Sequence, residues 1–63
     1  MRQHWERLET LQRKERAEAL YAEAISLVQT GHRERAARRV RQALELEPGH
    51  REAASLLAEL SRA

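Results

Sequence analysis

The sequence predicts an all-α protein: an antiparallel helical hairpin, with a long N-terminal helix leading into it and a third helix behind it. Three observations predict this class. Alanine, leucine, glutamate and arginine dominate the chain, and all four are strong helix formers. Glycine and proline occur at only three positions, Gly31, Pro48 and Gly49. Between these helix breakers, apolar residues recur every three or four positions, which is the period of an amphipathic helix.

The first predicted helix begins near Arg2 and continues to Thr30, because no glycine or proline interrupts this stretch. Its second half has a single apolar face, which consists of Ala17, Leu20, Ala24, Leu27 and Val28. Its first half, RQHWERLETLQRKER, carries three large apolar residues and then a charged run. Residues 1–16 are therefore predicted to be a helical extension that precedes the hairpin.

Two helix breakers define the second predicted helix. Gly31 can take the positive φ that commonly ends a helix, and Pro48 disfavours helical geometry in Glu47. Small residues on both helices allow their axes to approach closely, which favours an antiparallel hairpin over residues 17–50. The apolar face of the second helix consists of Ala36, Val40, Ala43 and Leu44.

The segment 51–63 is predicted to form a third helix that covers the open end of the hairpin. Its apolar stripe consists of Ala53, Ala54, Leu57, Ala58 and Leu60. At 63 residues, the chain is expected to be a single small helical domain, 1–63.

The spacing of residues in 17–50 resembles one unit of the tetratricopeptide repeat family, a solenoid family whose unit is about 34 residues long. Glu23 departs from the family pattern, since a charged residue stands where the family has an apolar one. Segment 51–63 resembles the first helix of a following repeat, which in such solenoids acts as a cap. The competing interpretation is an unrelated helical hairpin, which would not need Gly31 and Pro48. The residues that carry the resemblance are Leu20, Ala24, Leu27, Gly31, Ala36, Val40, Ala43, Leu44 and Pro48.

The resemblance implies a non-enzymatic protein–protein interaction module, acting as an adaptor, scaffold or assembly domain. In the family, the first helix of a repeat lines a groove that holds a peptide. Tyr21 and Ile25 stand where some subfamilies use polar residues to hold a terminal carboxylate, so an apolar peptide or a helix is the expected partner. Alternatively, these two side chains cover a neighbouring helix. The implied groove residues are Glu18, Tyr21, Ile25, Val28 and Gln29.

A second apolar stripe on the first helix predicts self-association. Its residues do not continue the hairpin face, and they are Trp5, Leu8, Leu11, Ala22 and Ile25. In two antiparallel copies, Leu8 meets the partner's Ile25 and Leu11 meets the partner's Ala22. This pattern is self-complementary, as a two-fold homodimer requires.

The dimer hypothesis has one observation in its favour and one against it. A chain this short rarely builds a sufficient core alone, so it is expected either to be a fragment of a larger protein or, as we favour, to complete its core by oligomerising. Glu15 and Glu18 would meet across the two-fold axis, which disfavours it. Two alternatives stay open: a break near Lys14 that folds the extension back onto the hairpin, and a frayed, solvated N-terminus.

The sequence offers no residues for catalysis, for a cofactor or for a metal site. The chain has no cysteine, so no disulfide or thiolate site can form. His32 and His50 flank a helix of about 20 Å, which keeps them from sharing a metal ion. The serines and glutamates lack a partner at catalytic spacing. No apolar run approaches a membrane span and no signal-peptide core is present, so a cytoplasmic protein without a membrane partner is expected.

Arginine supplies every basic residue except Lys14. This basic content supports an alternative function, that of a basic helical protein that binds nucleic acid. The lack of a nucleic-acid-binding motif, and of aromatic residues among the arginines, disfavours that alternative. The competing interpretation is a solvated outer face of the helix, on which Glu34 is placed to pair with Arg38 one turn away. The arginines of the second helix are Arg33, Arg35, Arg38, Arg39 and Arg41.

Overall fold

The computed structural model describes residues 2–62, and it describes side chains from Glu9 to Arg62. Three α-helices follow one another: α1 (Arg2–Gln29), α2 (Arg33–Leu46) and α3 (Arg51–Ser61). Within residues 2–62 these helices are the only regular secondary structure, which confirms the all-α prediction. No helix in this part of the chain is both long enough and apolar enough to cross a membrane.

Helix α1 is continuous through its charged middle, as the absence of helix breakers predicts. Its 28 residues account for most of the 47 Å length of the molecule. The alternative of a break near Lys14 is therefore wrong. Every described side chain from Glu9 to Arg16 is exposed, so this part of α1 projects beyond the hairpin.

The turn between α1 and α2 is a Schellman motif centred on Gly31. Gly31 has a φ of 86°, and its N–H donates to the carbonyl of Val28 over 3.1 Å. The N–H of His32 donates to the carbonyl of Leu27 over 2.8 Å. These bonds satisfy the last carbonyls of α1 and reverse the chain, so that α2 packs antiparallel to α1.

Gly31→Ala is expected to destabilise the protein by about 1 kcal/mol, because a side chain disfavours a positive φ. No atom lies within 4 Å of the added methyl group, so the cost comes from the backbone alone. We expect the midpoint of thermal unfolding, followed by circular dichroism, to fall by about 4–8 °C. Gly49→Ala is the matched control, since its methyl group also enters open space without a positive φ. Equal shifts in the two variants would contradict this account of the turn.

The core is built from small side chains, which allow the three helices to approach closely. Its largest member is Val40, and the others are alanines. Leu20, Leu27 and Leu44 are half-buried around this centre. Pro48 lies exposed in the connection that follows α2. Among the side chains from Glu9 to Arg62, the fully buried ones are those of Ala17, Ala24, Ala36, Val40, Ala43 and Ala53.

Helix α3 packs mainly on α2, but its buried face differs from the predicted stripe. Ala53 is fully buried, whereas Ala54 and Ala58 are exposed. Leu56, which lies outside the predicted stripe, is half-buried against the core together with Leu57 and Leu60. The face is rotated toward Leu56 because α3 has the hairpin on one side only. The predicted burial of Ala54 and Ala58 is therefore wrong.

Candidate functional site

A depression of about 320 Å³ lies between the second half of α1 and α3. It exists because both helices pack mainly on α2 and only weakly on each other. Its floor is apolar and its edges carry charges of both signs. The residues that line it are Tyr21, Ile25, Arg51, Glu52, Ser55, Leu56 and Glu59. An open, partly apolar depression of this kind can hold a side chain or a helix of a partner. We call this depression the α1–α3 groove.

The five implied groove residues take different positions. Tyr21 and Ile25 are half-buried and line the α1–α3 groove. Glu18 lies beyond the end of the groove, against His50. Val28 is half-buried against the core, and Gln29 is exposed outside the groove lining. Tyr21 also packs against the core, so it covers neighbouring helices and lines the groove at once.

His50 connects α3 to α1, a role that the sequence does not reveal. Its side chain is only 7% exposed, and its ring centroid lies 5.1 Å from that of Tyr21. Its Nδ1 accepts a hydrogen bond of 3.1 Å from the N–H of Ala53, which caps the N-terminus of α3. Because Nδ1 accepts, Nε2 carries the ring proton of the neutral imidazole. His50 therefore fixes the start of α3 beside α1 and helps to set the width of the groove.

The other nitrogen of this imidazole faces a carboxylate of α1. Oε1 of Glu18 lies 3.1 Å from Nε2 of His50, yet the pair lacks hydrogen-bond geometry. The contact is thus an electrostatic attraction between the ring N–H and the carboxylate. By contrast, His32 at the start of α2 is exposed and its side chain caps nothing. Among the described side chains, no group of three or more His, Cys, Asp or Glu could hold a metal ion.

The described residues of the self-association stripe are accessible. Leu11 is 55% exposed, the only large hydrophobic side chain so exposed in the described part of the chain. Ala22 is exposed, and Ile25 is half-buried in the α1–α3 groove. The side chains of Trp5 and Leu8 lie outside the described residues. The stripe therefore faces away from the hairpin core wherever it can be followed.

The arginines of α2 form few intramolecular contacts. Nε of Arg39 lies 3.0 Å from Oε1 of Glu23, and its Nη1 donates to Gln42 over 3.1 Å. Glu23, the charged residue that departs from the repeat pattern, thus forms an ion pair that joins α1 to α2. Arg38 has no ion pair among the described residues, so the expected pairing with Glu34 is wrong.

Neither a protein-family model, nor a curated protein, nor a solved structure matches this chain. Three surface features of the described residues remain as candidates for a functional site: the exposed stripe on α1, the α1–α3 groove and the arginines of α2.

Proposed function

We propose that this chain is a protein–protein interaction module of the tetratricopeptide type, without enzymatic activity, which self-associates and serves as an adaptor or assembly domain. One observation carries the proposal. The first half of α1 projects beyond the hairpin with Leu11 exposed, while the second half of the same helix lines an open groove. One helix thus carries both an exposed apolar side chain that can be inserted into a partner and part of a groove that can accommodate such a side chain.

The tetratricopeptide-type assignment is supported by the burial and backbone conformation of the residues that carry the resemblance. Ala24, Ala36 and Ala43 are fully buried in the core of the hairpin. Gly31 has the positive φ that its place in the turn requires, and Pro48 follows the second helix. An unrelated hairpin could share the buried alanines, but it would not need both breakers at these positions.

In the proposed dimer, two copies of α1 pair antiparallel about a two-fold axis near residue 16. Leu11 of each copy packs against Ala22 of the other, and each N-terminal half enters the other copy's α1–α3 groove. Burial of Leu11 removes apolar surface from water, which favours association. The repulsion between Glu15 and Glu18 of the two copies disfavours this arrangement. That repulsion is weakened, because Glu18 is attracted to His50 and lies near Lys14.

Sedimentation equilibrium tests this proposal. We expect a mass of twice the 7.3 kDa of one chain at high micromolar concentration. Leu8→Glu combined with Leu11→Glu should give a monomer, because it removes the apolar contacts and adds four carboxylates, two from each copy, to an interface that already holds Glu15 and Glu18. Ala54→Glu is the control, since it places a glutamate at an exposed position of α3 outside the groove lining. A monomeric parent chain, or a dimer that persists in the double variant, would rule out this interface.

A further inference from the structure

A second depression, of about 410 Å³, lies between α1 and α2. Its α1 residues, Glu23 and Leu27, point almost opposite to Tyr21 and Ile25, because positions two apart differ by about 200° around a helix. The depression is therefore separate from the α1–α3 groove and from the stripe that the proposed dimer would bury. The residues that line it are Glu23, Leu27, Arg35, Arg38, Arg39 and Gln42.

Positive charge is in excess at this depression. Three guanidinium groups face a single carboxylate, that of Glu23. This carboxylate is already engaged by Arg39, which also donates to Gln42. Arg35 and Arg38 form no ion pair or side-chain hydrogen bond with any described residue. Two guanidinium groups therefore border the depression without an ion-pair partner among the described residues.

We propose that this depression, the arginine site, binds the carboxylate side chains of an acidic peptide segment of another protein. A guanidinium group is planar and can donate two parallel hydrogen bonds to one carboxylate. Leu27 is half-buried at the site, and its side chain can pack against the methylene groups of a bound glutamate. The Arg39–Glu23 pair holds a third guanidinium beside the two free ones.

The charges on the rest of α2 favour an acidic peptide over a nucleic acid. On the outward face of this helix, Arg38 and Arg41 are flanked by Glu34 on one side and by Glu45 on the other, and all four residues are exposed. A phosphate backbone needs an extended basic surface, and these glutamates end the basic stretch on both sides. No aromatic side chain lines the arginine site on which a base could stack. A single local depression suits one or two carboxylates.

Fluorescence anisotropy with a labelled oligoglutamate peptide, blocked at both ends, tests the proposal at low ionic strength. Arg35→Gln combined with Arg38→Gln is expected to weaken binding by about tenfold or more. Arg41→Gln combined with Arg62→Gln removes the same charge at exposed positions outside the site, and is expected to weaken binding by less than about threefold. Circular dichroism of both variants should match that of the parent chain, since glutamine and arginine have similar helix propensities.

Three results would overturn the arginine site. The first is the absence of oligoglutamate binding at low ionic strength. The second is an equal loss of affinity in the two double variants, which would show attraction to net charge rather than to a site. The third is tighter binding of a short DNA duplex than of the peptide, which would show that the basic surface serves nucleic acid. None of these results bears on self-association, because the dimer interface lies on the other side of α1.

Discussion

Ala24→Leu is expected to lower the free energy of unfolding by about 1–3 kcal/mol, because it overpacks the core. Ala24 is fully buried, and it lies in a core whose largest fully buried side chain is Val40. Three added carbon atoms can fit there only if the helices move apart. A chain of this length has a total stability of only about 3–9 kcal/mol, so the loss should unfold a measurable fraction of the molecules.

Thermal melts followed by circular dichroism measure this effect. Ala19→Leu is the matched control, because Ala19 lies on the same helix and is exposed. Both substitutions change helix propensity equally, so any difference between the two melts reports packing. We expect Ala19→Leu to melt within a few degrees of the parent chain. If Ala24→Leu does the same, α1 and α2 do not pack through Ala24.

His50→Ala is expected to destabilise the protein by about 1–2 kcal/mol. Loss of an N-cap acceptor costs about 1 kcal/mol, and the contact with the Tyr21 ring is lost as well. The substitution also removes the buried group that faces Glu18 from α3. The start of α3 should therefore fray, and its contact with α1 should weaken.

Urea unfolding of two further variants separates these contributions. His32→Ala is the matched control, because this histidine also starts a helix but is exposed and caps nothing. We expect its unfolding free energy to stay within about 0.5 kcal/mol of the parent value. His50→Asn restores a cap acceptor without the ring contact, and should fall between His50→Ala and the parent chain. Equal midpoints for His50→Ala and His32→Ala would refute the capping role.

The fold class and the helix boundaries could be predicted because their signals are local. Gly31 and Pro48 end helices for reasons that depend on their own backbone chemistry. The continuity of α1 follows from the absence of such residues before Gly31. The buried alanines of the hairpin follow from a period of three to four residues, which each helix displays independently of its partners.

The remaining features depend on neighbours that are distant in the sequence. His50 reaches Glu18 and Tyr21 only after two turns have brought α3 back beside α1, and no local pattern indicates that meeting. Arg39 pairs with a residue of α1, whereas the local rule favoured the Glu34–Arg38 pair on α2 itself. That rule failed because an exposed pair one turn apart is worth only a few tenths of a kcal/mol.

The predominance of alanine in the core also affects how stability changes with temperature. Five of the six fully buried side chains in the described part of the chain are alanine, and each contributes one methyl group. The heat-capacity change of unfolding grows with the apolar area that unfolding exposes. A core of alanines exposes little apolar area per residue, so it contributes little to this heat-capacity change. The free energy of unfolding should then follow a shallow curve with temperature. Unfolding should also have a small enthalpy, so that heat melts the hairpin over a wide interval.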